Sequence, residues 1–211
     1  MRCIELNHYR LVDSLSHISG SLADLTSRLK KTPSFPWTIL RQASFLQTDD
    51  HQVDEHAFSL LQRKGAFPFS RATSLKALAE CRDFPPRSEF RYSLNGNDYL
   101  LDEETYNDSK EVYSYYEMES LLAYMDLYLR LDCFCLCEIL YSYNDYFRSL
   151  FNNLSPLSFL TFSSYSWNSF LYLSKCRIQY LDCKILYNLF EVEGSLYSSH
   201  FPLLQLPHFL K

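Results

Sequence analysis

Four glycines in a chain of 211 residues leave few positions where backbone can approach a phosphate closely, and a nucleotide-cradling glycine loop is excluded. A basic surplus is missing too. Residues 1–91 hold 13 Lys and Arg against 10 Asp and Glu, while residues 92–211 hold 7 against 15, so the two halves carry +3 and −8. Neither half is a nucleic-acid face by charge alone, and any such contact has to come from ring stacking and local Lys or Arg placement. No apolar core follows the N-terminal Met-Arg-Cys-Ile-Glu-Leu-Asn-His, so no cleavable secretory signal is expected. The seven cysteines are an odd number, and together these features point to a reducing, intracellular setting rather than secretion. The charge-free stretch 149–174 contains Pro156, Asn152, Asn153 and Asn168 among many serines, which is too polar for a membrane span. Repeats, heptads and low-complexity tracts are absent.

What is plentiful is aromatic. Seventeen Tyr and sixteen Phe, with 47% hydrophobic residues overall, describe a helix-rich interior packed on rings, in one domain or part of a larger one. Residues 8–13 read as a short strand ending in Asp13-Ser14. Ser21-Leu22-Ala23-Asp24 has capping-box spacing at the start of a helix. Prolines 33, 36, 68, 85 and 86 punctuate an irregular stretch with short helices near 54–63 and 73–81. Asp102-Glu103-Glu104 opens a helix to about residue 116, and a longer one is expected over 119–151. A shorter helix follows Pro156 at 166–173, and the type of 176–190 stays open.

The long helix contains an inward carboxylate. At about 100° per residue with Tyr128 at zero, Asp132 falls near 40°, among Leu121, Met125, Cys135, Ile139 and Tyr143, opposite the polar face of Asp126, Arg130, Asn144 and Arg148. A carboxylate there needs a partner, a proton or a metal ion. Tyr128, one turn earlier on the same face, supplies a phenol, so Asp132 reads either as an acid paired to Tyr or Arg, or as a metal ligand with a neighbouring phenol. Cys133, Cys135 and Cys137 alternate at about 200° per step and cannot converge on one zinc ion.

Several elements occur in an order that resembles the exonuclease region of protein-primed family B DNA polymerases of viruses and Polinton-type mobile elements. Tyr9 to Ser14 with Ser21-Leu22 is similar to their Asp-Ser strand and Ser-Leu helix. Arg63-Lys64-Gly65-Ala66-Phe67-Pro68-Phe69 resembles their Arg-Lys-Gly-hydrophobic-Phe-Pro-Tyr loop. Leu94 to Val112 resembles the acidic helix before the third exonuclease motif, Tyr128-Leu129-Arg130-Leu131-Asp132 the motif itself, and Ser166-Trp167 the Ser-Trp that follows a proline-containing connection.

The resemblance implies an α/β fold with predominant helix, the C-terminal part of an RNase H-like 3′ to 5′ exonuclease domain with an incomplete sheet. It divides the chain into a strand-helix remnant at 1–29, an irregular connection at 30–101, a helical exonuclease part at 102–194 and a divergent tail at 195–211. It further implies DNA-directed DNA synthesis with proofreading, Tyr128 and Asp132 as catalytic residues, Asp132 as a Mg²⁺ ligand, DNA, deoxynucleotides and a terminal priming protein as partners, and a nuclear or viral-replication setting. The family's Asp-x-Glu motif is not found before Asp13, nor is its Asn-aromatic-Asp motif, and Glu193-Gly194-Ser195 stands where an Arg-Gly-Gly link would be. A single carboxylate cannot hold two metal ions, so this chain by itself is expected to be inactive and to hold Mg²⁺ poorly. The competing expectation is a non-catalytic module whose aromatic-rich helices over 102–151 bind another protein.

Overall fold

The computed structural model describes residues 3–6, 9–48, 50–94 and 97–176. The chain falls into two units, 18–146 and 1–17 with 147–211. Helix predominates, and the strands form two separate two-stranded antiparallel sheets among the described residues.

In the 18–146 unit the first four α-helices each start where a short polar side chain takes free N–H groups of the first turn, whereas the short 3-10 turns between them carry no side-chain cap. Helix α1 (Leu22–Lys31) is capped by Ser21, whose Oγ accepts from the Asp24 N–H at 3.1 Å while its hydroxyl donates to Asp24 Oδ2 at 2.7 Å. The shorter Asp thus bonds the cap's hydroxyl, where a Glu in a full capping box would reach back to the cap's N–H. Asp54 caps α2 (Glu55–Leu61) and Ser74 caps α3 (Leu75–Glu80). Asp102 accepts from the Thr105 N–H at 2.8 Å to start α4 (Glu103–Tyr115), and that bond holds its carboxyl below the ordinary value. Helix α5 runs over Leu121–Leu150.

A hairpin lies in the stretch that reads as irregular connection and acidic helix. Arg91–Leu94 and Asn97–Leu100 pair antiparallel, with Tyr92 opposite Tyr99 and Leu94 opposite Asn97; they are β3 and β4. The register leaves Asn95-Gly96 between the strands, a dipeptide that is itself the strongest short hairpin signal in sequence. The rest of 30–101 is far from peripheral: Trp37, Leu40, Leu46, Phe58, Leu61, Phe67 and Leu78 are buried with Val112, Tyr113 and five residues of α5 from Leu121 to Leu131.

Buried coil carries carbonyls that no ladder satisfies, and here phenols reach them. Tyr116 donates to the Phe45 carbonyl at 2.8 Å, Tyr124 to Ala66 at 2.8 Å, Tyr113 to Arg82 at 2.6 Å and Tyr106 to Pro85 at 3.1 Å. All four donors stand on α4, α5 or the turn between them. The tyrosine-rich composition therefore has a structural use, since each ring fills core volume while its hydroxyl ties down a loop. Phe84 packs against the rings of Phe90, Tyr106, Tyr113 and Tyr124 with centroids 5.2–5.6 Å away.

In the other unit, the expected strand is β2 (Tyr9–Val12). Its antiparallel partner β1 (Cys3–Leu6) was not legible in the sequence, and β2 has no second strand partner among the described residues. Helix α6 (Phe162–Ser174) starts four residues before the expected position because Thr161 caps it, accepting from Ser164 N–H at 3.1 Å. Buried Tyr165 donates its hydroxyl toward the Phe147 and Leu154 carbonyls at 3.2 and 3.3 Å and is ringed by Phe147, Phe151, Phe159 and Phe162. Ser166-Trp167 lies inside α6. The segment 177–190 and Glu193-Gly194-Ser195 fall outside the described residues. Among the described residues, no helix is long and apolar enough to cross a membrane.

Candidate functional site around Tyr128 and Asp132

Helix α5 buries Leu121, Tyr124, Leu127, Tyr128, Leu131, Cys135, Glu138 and Ile139. On the wheel these span an arc from about −100° to 20°, so Asp132 at about 40° sits on its rim, where periodicity alone puts it mid-stripe. The stripe is rotated toward Leu127 and Leu131 because the neighbours that cover the helix stand on that side. Asp132 is accordingly half-buried. Its Oδ1 has no hydrogen-bond partner, and the Tyr128 phenol beside it favours the charged carboxylate.

One of those neighbours is the 63–69 loop, about sixty residues upstream of Asp132. Gly65 lies against the Tyr128 ring, and a Cβ built on it would stand 3.2 Å from Tyr128 Cδ2; absence of a side chain lets the loop come this close. The Phe67 ring lies 5.6 Å from that of Tyr128 and stacks on Tyr124 at 6.2 Å, and Phe69 meets Tyr128 edge-on at 6.2 Å. The Ala66 carbonyl takes the Tyr124 hydroxyl, and the Cys135 thiol points to the Arg63 carbonyl at 3.9 Å. Arg63 pairs with Asp108 on α4. A cavity of about 20 Å³ remains between loop and helices, lined by Arg63, Gly65, Ser109, Tyr124 and Tyr128 among others. It has room for a single water molecule, and Arg63 Nη2, buried without a protein partner, is a donor for one.

The electrostatics follow from burial. Desolvation pushes the Asp132 carboxyl above its ordinary value, opposed by the positive charge of Lys64 and by the Tyr128 hydrogen bond. The same burial, with the Asp132 charge added, drives the Tyr128 phenol well above the usual range. Burial first, and then the Asp132 charge, push the Cys135 thiol up to about 12. Tyr124 is pushed up to about 12 by burial. At neutral pH the site thus contains an acid that is costly to ionise, beside phenols and a thiol that keep their protons.

Sequence reasoning passed over Glu138. Its side chain is fully buried, and Oε2 accepts from the Ile39 N–H at 2.7 Å and the Leu40 N–H at 2.8 Å. The wheel held the signal, because Glu138 at about −80° lies between Leu127 and Leu131. The letters Asp102-Glu103-Glu104 serve elsewhere: Asp102 is the α4 cap, and Glu103 faces Arg87 at 4.0 Å.

Mg²⁺ requires several converging oxygens in near-octahedral order. Here a single carboxylate stands beside a phenol, within the electrostatic reach of Lys64 and Cys135, and no group of three or more His, Cys, Asp or Glu that could hold a metal converges among the described residues. These residues do not fit a Mg²⁺ site by themselves. No known protein family, curated protein or solved structure matches the chain.

Proposed function

We propose that this chain is part of a protein-primed family B DNA polymerase of viral or mobile-element type, carrying the C-terminal portion of its 3′ to 5′ exonuclease domain. The observation that supports the reading is the packing of Arg63–Phe69 on Tyr128 and beside Asp132. Two stretches that resemble the family separately, and lie about sixty residues apart, meet at one place. In this reading DNA and deoxynucleotides are the substrates, a terminal priming protein is a partner, and the protein works in the nucleus or at a viral replication site. Tyr128 and Asp132 are the exonuclease residues. The carboxylates that would complete a Mg²⁺ site, and the strands of an RNase H-like sheet that would carry them, have to come from residues other than those described. A second reading, a non-catalytic protein-binding module, is favoured by Leu129, Tyr141 and Tyr146, which are large apolar or aromatic side chains exposed on α5.

The coding sequence on either side of these 211 residues separates the two. The polymerase reading expects Asp-x-Glu upstream and metal-binding palm motifs downstream. The longest product of that region should release 3′-terminal nucleotides with Mg²⁺ and lose that activity in Asp132→Ala, whereas the 211-residue chain should show neither activity nor an Asp132→Ala effect. Flanking sequence without those motifs, or release by the longer product that Asp132→Ala leaves intact, sinks the proposal.

A further inference from the structure

Three thiols lie within five residues of α5, and the fold sorts them by face. Cys135 is fully buried, whereas Cys133 and Cys137 are exposed and free. The exposed two are related by i, i+4, which stacks them one turn apart with Cβ atoms about 5–6 Å from each other. A disulfide needs Cβ atoms about 3.5–4.5 Å apart, so this pair cannot close on itself while the helix is intact. An atom with bonds of about 2.3 Å to each sulfur has a longer reach, bridging sulfurs up to about 4.6 Å apart, and two staggered χ1 choices on neighbouring turns bring the thiols into that range.

We infer that Cys133 and Cys137 form an exposed dithiol site for a soft thiophilic metal or metalloid of low coordination number, of the class of Cu(I), Hg(II) and trivalent arsenic. The surroundings define that class. Asp126, the acid on the same side of the helix, is engaged by Arg130 at 2.9 Å, and the flanking positions one turn away on either side are Leu129 and Tyr141, 51% and 48% exposed. With two sulfurs and no free carboxylate, the face offers nothing to hard cations that require six or more oxygens, and too few ligands for a closed tetrahedral zinc site. Cys135 cannot contribute, because its thiol lies on the buried side at the Arg63 carbonyl.

Phenylarsine oxide is the probe. Its As=O group reacts with two S–H groups to give two As–S bonds and one water, with arsenic staying trivalent. The folded chain should take up one equivalent, mapped to the peptide that contains both Cys133 and Cys137. The adduct should survive excess monothiol and come off with a dithiol. Because the second As–S bond forms intramolecularly, Cys133→Ser and Cys137→Ser should each weaken retention by about a hundredfold, while Cys81→Ser leaves it unchanged. Both replaced side chains are exposed, and unchanged helical circular dichroism confirms that the variants fold. An adduct mapped to other cysteines, retention unaffected by either serine variant, or a 133–137 disulfide formed with the helix intact would overturn the site.

Discussion

Helix α5 sends two carboxylates toward the interior, and their surroundings differ. Glu138 is fully enclosed, and its Oε2 accepts two backbone N–H groups from Ile39 and Leu40. Each acid leaves one buried oxygen unpartnered, Glu138 Oε1 and Asp132 Oδ1, but Asp132, about two turns earlier, is only half-buried, engages no backbone N–H, and has the Tyr128 phenol beside it and the charge of Lys64 acting on it. The first is built as an anchor, fixing the 39–40 backbone to the helix through two backbone N–H hydrogen bonds to one carboxyl oxygen. The second costs free energy to ionise and has little structural return. An acid kept at such cost on the rim of a core has the character of a chemical group, and together with the Arg63–Phe69 loop packed beside it this is why the functional proposal takes Asp132 and leaves Glu138 to the fold.

Substitutions at the two sites sharpen the contrast or break it. The largest effect should come from Glu138→Ala, which strands two N–H donors and opens space. A loss of about 3 kcal/mol in urea denaturation is expected, and a loss below about 1 kcal/mol would mean that Glu138 is no anchor. Gly65→Ala should follow at about 1–2 kcal/mol, because the new methyl meets the Tyr128 ring at 3.2 Å and the ring must shift. If it were neutral, the loop would not be pressed on Tyr128 as described.

Asp132→Asn should have a small effect of opposite sign. The folded-state carboxyl lies above its ordinary value through burial, so the folded protein favours the proton. The stabilisation this gives is complete below the ordinary carboxyl value of about 4 and is lost as pH rises through the raised folded value. Asp132→Asn should therefore be at least as stable as the wild type at neutral pH, with the advantage shrinking as pH falls into the carboxyl range. An advantage that grows on acidification would reverse the sign and refute the burial argument. The smallest effect belongs to Lys64→Ala. Removing that cation should move the Asp132 titration further upward in a carboxyl-detected NMR experiment, and a downward shift would show that Lys64 does not oppose the burial.

The 63–69 loop and α5 also show what is legible in a linear chain. Caps at Ser21 and Asp102 and the length of α5 were readable because a helix start needs only side chains within one turn of the free N–H groups. The β3–β4 hairpin carried its own signal in Asn95-Gly96, obscured by assigning the stretch from Leu94 to an acidic helix. The strand β1 had none, since four residues before an undescribed pair show too little alternation to read. At the candidate site Tyr128 and Asp132 were visible as a pair on one face, and Glu138 was visible on the same wheel but overlooked.

By itself the sequence determined the presence of the main helices, the Ser21 cap and the Asp102 helix start, the aromatic character of the interior and the placing of Tyr128 and Asp132 on one face, because these depend on neighbours within a turn or on composition, while the Thr161 start of α6 escaped it. Only the tertiary structure decided which arc of α5 is covered, and hence that Asp132 lies on the rim and Glu138 at the centre. It also decided that the tyrosine hydroxyls hold coil carbonyls and that Gly65 makes room for Tyr128. Helical periodicity specifies a face only up to rotation, and the phase is set by whatever packs there. For α5 that is the turn and single 3-10 turn at 37–42 and the loop at 63–69, whose irregular backbone has no long period to read.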